Sequence, residues 1–283
     1  MPLVDELISH WSPDPAVDLV TDYAIFRGIS PESAKEKLER RPANLDPLGA
    51  SDSFYGSSED FLLNLIRAQI GLRHLTGRVG LVLDVLKSHK GLEILDAGGG
   101  LGNYCIALSR SGHVCTYADI PGCITEFARQ RFSSRSCPID VCDVRELPSK
   151  RFHAVLSFDV LEHLEDPVSA MVEYSMHCLQ NGLLFLAADF MNFAEPFHLR
   201  KNFGYSFIYE AVLAALGFEL ANGGGLTAVE SIMKAGVRIY RKTAPCTSRE
   251  SLEKSAKAAA REKYAEYASY FQVELGRLDR ALS

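Results

Sequence analysis

The middle of the chain alternates short, β-branched and aliphatic runs with stretches whose apolar positions recur every three or four residues. The runs at 92–96, 113–118, 137–141, 153–158 and 183–188 predict strands, and the stretches at 102–109, 124–131 and 167–179 predict helices between them. A later pair near 217–221 and 236–241 can close the sheet, with the loop signal Gly223-Gly224-Gly225 between them. Strand and helix in alternation over this length predict an α/β fold. It is a doubly wound, mostly parallel seven-stranded sheet with helices on both faces.

Both ends read differently. The N-terminal part shows helical patterns interrupted at Pro13, Pro15, Pro31, Pro42 and Pro47, followed by strongly apolar stretches at 61–75 and 79–86. This predicts a helical cap. From Ser248 onward, apolar residues at Leu252, Ala256, Ala260, Tyr264, Tyr267, Phe271, Leu275, Leu278 and Leu282 step by three or four and form one stripe along a single long helix. Such a stripe must be buried. Docking on the helical N-terminal part is the expected arrangement, and a homodimer through the stripe is the alternative. The expected division is a cap or lid region over 1–75, a central domain over 76–244 and a C-terminal helix over 245–283.

Composition narrows the setting without changing this outline. At 283 residues and 47% hydrophobic, the chain can bury a large core without staples, and no apolar run approaches the ~20 residues of a membrane helix. The start, Met1-Pro2-Leu3-Val4-Asp5-Glu6, lacks the basic and apolar regions of a signal peptide. Seven cysteines form no Cys-x-x-Cys pair and are read as free thiols, so a cytoplasmic location is expected and no metal site is. A net charge of −6 argues against nucleic acid as the main partner.

The chemistry concentrates in Leu92-Glu93-Ile94-Leu95-Asp96-Ala97-Gly98-Gly99-Gly100-Leu101-Gly102-Asn103-Tyr104. An aliphatic run ends in an acid and a glycine cluster, and helix-forming residues then resume. The backbone can turn sharply there and meet a ligand without a Cβ in the way, which suits a dinucleotide or an adenosyl cofactor. Two details separate these. Counting from Gly98 and Gly100, the third glycine of a dinucleotide fingerprint is replaced by Asn103. In addition, Asp96 would repel a pyrophosphate but favour a cationic sulfonium ligand.

The segment Asp96-x-Gly98-x-Gly100-x-Gly102 resembles the first motif of the class I S-adenosylmethionine-dependent methyltransferases, and further motifs follow in that family's order. Asp119, at the end of Val114-Cys115-Thr116-Tyr117-Ala118-Asp119-Ile120, stands where the family places the acid that holds the ribose hydroxyls, with Ile120 beside the adenine. Cys142-Asp143-Val144-Arg145-Glu146-Leu147-Pro148 is similar to the family's loop after strand three. The resemblance implies that Asp143 accepts from the adenine amino group and that the Val144 N–H donates to the ring. The stretch 152–164, with Phe158 and His163, resembles the fourth strand and the loop beyond it. The usual proline-glycine turn before strand five is replaced by Leu179-Gln180-Asn181-Gly182, which keeps a turn-forming pair.

The resemblance implies a small-molecule methyltransferase. Displacement at a sulfonium-bound methyl needs alignment and exclusion of water, and a hydroxyl or amine acceptor also needs a base. His198, on the segment after strand five, is the preferred base, and His163 is a second candidate. Tyr55, in Ser53-Phe54-Tyr55-Gly56, sits at a lid position. Aromatic residues from Phe190 to Tyr209 could line an acceptor pocket or pack in the core. Three other readings are weighed. A nicotinamide oxidoreductase loses on the missing glycine. A protein or nucleic-acid methyltransferase lacks its Asn- or Asp-Pro-Pro-aromatic motif. A non-catalytic adenosylmethionine-binding protein would leave the His198 segment without a purpose.

Overall fold

The computed structural model describes residues 15–40, 58–71, 73–190, 198–221 and 236–282. The cap consists of α1 (Pro15–Arg27), α2 (Pro31–Glu39), α3 (Glu59–Gly71) and α4 (Arg73–Leu86). The central part follows as β1 (Glu93–Ala97), α5 (Asn103–Arg110), β2 (Val114–Asp119), α6 (Cys123–Ser134), β3 (Ile139–Asp143), β4 (Phe152–Phe158), α7 (Pro167–His177), β5 (Cys178–Ala187), α8 (Tyr205–Ala215), β6 (Phe218–Leu220) and β7 (Arg238–Lys242). The long helix α9 (Arg249–Leu282) comes last.

The seven strands lie in the order β3-β2-β1-β4-β5-β7-β6, with β7 antiparallel to both of its neighbours and the other pairings parallel. This is the doubly wound sheet that the alternating pattern predicts. Strand order reverses between β1 and β4, so the carboxyl ends of these two strands open the crevice in which such sheets bind ligands. The sheet strands are apolar on both faces because helices cover both. One face packs Leu95, Val155, Leu184 and Leu186 under α7 and α8. The other packs Ile94, Leu156, Phe185 and Ile239 against α4 and α5.

Three local departures from expectation have plain causes. Strand β3 ends at Asp143, two residues later than predicted, because Asp119 and Asp143 stay paired in parallel register; Asp143 is therefore a strand end and not a loop residue. The Asn181-Gly182 pair lies inside β5, as a bulge where the register with β4 shifts between Phe152 and Ala154. Asn181 adopts φ +66°, and a Cβ on Gly182 would come within 2.9 Å of the His153 carbonyl, so the pair serves a bulge within the strand and not the expected reversal before it. Helix α9 is not docked as expected. Its Leu252 and Ala256 are buried in the core beneath α7 and α8, and Tyr267 meets Phe207 of α8 at 6.0 Å. The stripe is buried at its start, but against the far side of the central sheet from the cap.

The cap has its own core. Leu19 and Tyr23 of α1, Ala34 and Leu38 of α2, and Leu62 and Ile66 of α3 enclose Leu101 from the glycine turn and Phe127 of α6. The cap therefore rests directly behind the glycine turn.

Candidate active site

The β1-to-α5 turn is built by backbone conformations that side chains disfavour. Gly98, Gly100 and Gly102 have φ of +78°, +52° and +77°. The turn is tied to β2, since the Gly98 N–H donates to the Ala118 carbonyl at 2.8 Å. Its surroundings are asymmetric. A Cβ on Gly98 or Gly102 would strike Val160 or the Phe132 ring at 2.5 Å, whereas one on Gly100 would meet nothing within 4 Å. Among the described residues, nothing crowds the Gly100 backbone on that side.

Asp119 borders that space. Its Oδ2 accepts from the Gly100 N–H and its Oδ1 from the Ile120 N–H, both at 2.8 Å, while the Tyr117 hydroxyl ties the Gly100 carbonyl from the other side. The Tyr117 hydroxyl also lies 3.4 Å from Oδ2, and a carboxylate has about four acceptor sites, so capacity remains for further hydroxyls where Tyr117 donates to the nearer Gly100 carbonyl. Burial raises the Asp119 carboxyl despite these donors. Asp96 is 2% exposed, its Oδ2 is 3.5 Å from the Cys105 thiol, and burial, with a smaller contribution from the Asp119 charge, pushes its pKa up to about 7. A buried acid held, among the described residues, only by a weak thiol donor is stabilised in its ionised form by a nearby cation.

Asp143 pairs with Asp119 across the two strands, but both of its oxygens are held by Arg145, which keeps it below the ordinary carboxylate range. The ring donor expected at Val144 is spent elsewhere. Its N–H donates to the Asp119 carbonyl at 3.1 Å and its side chain packs against the core. Donation from Val144 to an adenine ring is therefore corrected, because continuing the β2–β3 ladder one step further satisfies that N–H. Phe158, at the end of β4, is half-buried and packs on the Tyr104 ring with centroids 4.5 Å apart. Beside it, Asp159 takes φ +55° and pairs with Arg78 of α4.

The loop after β4 enters a turn at Leu161–His163, and this turn carries a second cluster. His163 and His198 lie edge to face with ring centroids 4.8 Å apart. Glu162 is 1% exposed. Its Oε1 accepts from the Asp189 N–H at 2.9 Å, while among the described residues its Oε2 and the His198 Nδ1 are buried without hydrogen-bond partners. Burial, offset in part by the Asp189 N–H and by His198, raises the Glu162 carboxyl to about 7. Buried Asn202 holds the two segments together, its amide donating to the carbonyls of Leu161, Glu162 and Leu164, and the Leu199 N–H donates to the Glu162 carbonyl. One acceptor-capable atom from each of Glu162, His163 and His198 lies within 4.8 Å of the others, a spacing that suits a shared proton or a cation.

Glu162 is the residue that sequence reasoning passed over. Its only signal is adjacency to His163, and what singles it out is the approach of His198 from 36 residues away along the chain. Tyr55 and the segment 191–197 lie outside the described residues. Of the aromatic residues expected near the acceptor, Phe190 and Phe203 are buried, and Phe190 packs on Tyr205 and Tyr209 at 6.0 Å.

A doubly wound sheet with a glycine turn at its switch point and an acid at the end of the next strand is a Rossmann-like α/β arrangement, in which ligands bind at that switch point. Residues 95–186 match the methyltransferase-domain family, a stretch that runs from within β1 to within β5 and contains the glycine turn, Asp119, Glu162 and His163 but not His198. A ubiquinone biosynthesis O-methyltransferase of Paramagnetospirillum magneticum is 30% identical over 139 residues, 48% of this chain and 55% of that protein. The chain thus spans about half the length of that curated relative. Among solved structures, magnesium protoporphyrin IX methyltransferase of Synechocystis with bound S-adenosylmethionine aligns at 19% identity and a TM-score of 0.45, covering 71% of this chain and 98% of that one. A putative S-adenosylmethionine-dependent methyltransferase of Methanococcus maripaludis aligns at 16% identity and a TM-score of 0.48, covering 66% and 94%.

Proposed function

We propose that this chain is an S-adenosylmethionine-dependent methyltransferase acting on a hydroxyl or other nucleophilic atom of a small molecule. The observation that carries this reading is the open backbone at Gly100 with the Asp119 carboxylate hydrogen-bonded beside it, at the edge of the crevice between β1 and β4. The match of residues 95–186 to the methyltransferase-domain family and the activity named for the Paramagnetospirillum relative support it. The residues present fit the cofactor. The glycine turn gives room for close approach at Gly100, Asp119 keeps acceptor capacity for a cis-diol, buried Asp96 offers negative charge to an amino acid–sulfonium group, and Ile120 and Phe158 offer apolar surface. Asp143 would have to share its oxygens with Arg145 to reach an adenine amino group.

When bound, the cofactor supplies a methyl group on a sulfonium, which a nucleophile can displace without further activation. What the chain must add is alignment and a place for the acceptor's proton. His198 is the base in this reading. Glu162, buried near it, stabilises by its charge the imidazolium that forms, and His163 lies edge to face with the same ring. The seven free cysteines suit a reducing, cytoplasmic setting. Among the described residues no helix is long and apolar enough to cross a membrane.

Asp119→Ala tests the cofactor assignment. It removes the diol acceptors and the tie to the Gly100 N–H together, so S-adenosylmethionine affinity is expected to fall by about 1.5–3 kcal/mol in a calorimetric titration. Unchanged affinity would remove Asp119 from the site. Asp96 gives a pH signature. Its pKa of about 7 leaves the carboxyl half-protonated near neutrality, and a bound cation favours the ionised form. Binding is therefore expected to release a fraction of a proton and to tighten as pH rises from 6 to 8, which titrations in buffers of different ionisation enthalpy read directly. Affinity independent of pH over that range would place the cationic group away from Asp96.

A further inference from the structure

We infer that Asp22 of the N-terminal cap is a positioning residue for the cofactor turn, acting through Arg131, so that docking of α1 and occupation of the cofactor site reinforce each other. The inference rests on the cofactor reading above and extends it to a part of the chain outside the segment that matches the methyltransferase-domain family.

Asp22, on α1, is 4% exposed, and Arg131, on α6, is also 4% exposed. The Arg131 Nε donates to Asp22 Oδ2 at 2.7 Å. The same guanidinium reaches the turn through Nη1, which donates to the Leu101 carbonyl and, at 2.7 Å, to Asn103 Oδ1. Arg135 closes the arrangement from the next turn of α6, with Nη1 and Nη2 on the two Asp22 oxygens at 2.9 and 2.7 Å. Asn103, the first residue of α5, is held from the cap as well, its amide donating to Gln69 Oε1 of α3. A carboxylate on the cap thus orients a buried guanidinium, and that guanidinium holds the peptide joining Leu101 to Gly102.

That peptide is the one most in need of holding. It follows Gly100 at φ +52° and leads into Gly102 at φ +77°, and glycine's freedom on both sides leaves its orientation weakly determined by the backbone alone. The Arg131 bond fixes its carbonyl, while the Gly102 N–H donates to the Gly99 carbonyl at 2.9 Å. The Leu101 side chain, fully buried among Leu19, Tyr23, Leu62 and Ile66, fixes it a second time. Both attachments belong to the cap or are oriented by it, and Gly100, whose N–H binds Asp119, is the adjoining residue. Releasing Asp22 leaves a buried guanidinium without its counter-charge, and such a group moves to find water and takes its other partners with it. Coupling between two sites is reciprocal, so a ligand that prefers the ordered turn also holds the cap in place.

The test is made on the full chain. In the parent protein, saturating S-adenosylhomocysteine is expected to slow amide exchange along Pro15–Arg27 by tenfold or more, although α1 contributes no group to the ligand in this account. Asp22→Asn is expected to raise the S-adenosylmethionine Kd about tenfold and to leave kcat at saturating cofactor within twofold of the parent, and Asp22→Glu, which keeps the charge, recovers most of the affinity. Exchange along α1 that ignores the ligand, or an Asp22→Asn Kd within twofold of the parent, overturns the inference. Should Asp22→Asn fail to fold, the exchange result on the parent decides alone. A parent chain that binds neither S-adenosylmethionine nor its demethylated product instead defeats the cofactor reading, a separate outcome.

Discussion

Replacing Glu162 with Gln is expected to lower turnover by about 10²–10³-fold while leaving cofactor affinity nearly unchanged, and His198→Ala by about 10²–10⁴-fold. Gln keeps the shape of Glu and can still accept from the Asp189 N–H, so the fold loses little. What it removes is the negative charge beside His198. With the Glu162 carboxyl raised to about 7, the parent is expected to gain activity as pH rises through neutrality, because the carboxylate that stabilises the imidazolium forms over that interval. In Glu162→Gln that limb should flatten.

The same shift has a consequence for stability. A carboxyl whose pKa is higher folded than unfolded contributes stability below the unfolded value, and this is lost as pH climbs through about 7. Glu162→Gln is therefore expected to melt higher than the parent at pH 8 and to differ less from it at pH 5. Full turnover in the variant would return Glu162 to a structural role. Loss of activity on dialysis against a chelator, restored by one divalent metal, would assign the cluster to a cation instead of a shared proton.

The second large effect is expected at Gly100. A Cβ there meets nothing within 4 Å, so Gly100→Ala costs the fold only the strain of a left-handed alanine at φ +52°, about 1–2 kcal/mol. The ligand, which would occupy that space, meets the added methyl directly. Affinity for S-adenosylmethionine is expected to fall at least 30-fold in a protein that keeps its circular dichroism and a cooperative melt. Gly102→Ala would behave in the opposite way, with its added methyl 2.5 Å from the Phe132 ring and its main loss in stability. Comparing melting and binding for the two variants separates the glycine that faces ligand from the one that faces protein.

Residues whose roles follow from chain-local geometry were legible in the sequence. The glycine turn could be read because an aliphatic run, an acid and closely spaced glycines leave few conformations, and Asp119 because a strand end followed by a helix start fixes where its carboxylate lies. The sheet was legible for the same reason, including the late pair of apolar runs that closes it, but the antiparallel direction of β7 was not. Residues whose roles depend on what approaches from elsewhere were not legible. Glu162 matters through His198, and nothing near position 162 announces that approach. Val144 read as a free donor until the ladder between β2 and β3 was seen to claim it. For α9, the stripe said that a face must be covered but not by what, and the choice fell to α7 and α8, whose apolar surfaces at Val168, Met171, Val212 and Leu213 lie closer than the cap. Asp22 is a plain acid in a helical pattern, and only the buried Arg131 across from it marks it.

The central claim, that the Gly98–Gly102 turn and Asp119 form an adenosyl-sulfonium site, is tested most directly by titrating the purified chain with S-adenosylmethionine, S-adenosylhomocysteine and NAD in parallel. Binding of the first two at micromolar Kd or tighter, roughly −8 kcal/mol or better, with no heat from NAD, is the expected result. Binding of NAD in the absence of binding by either adenosyl ligand would contradict it.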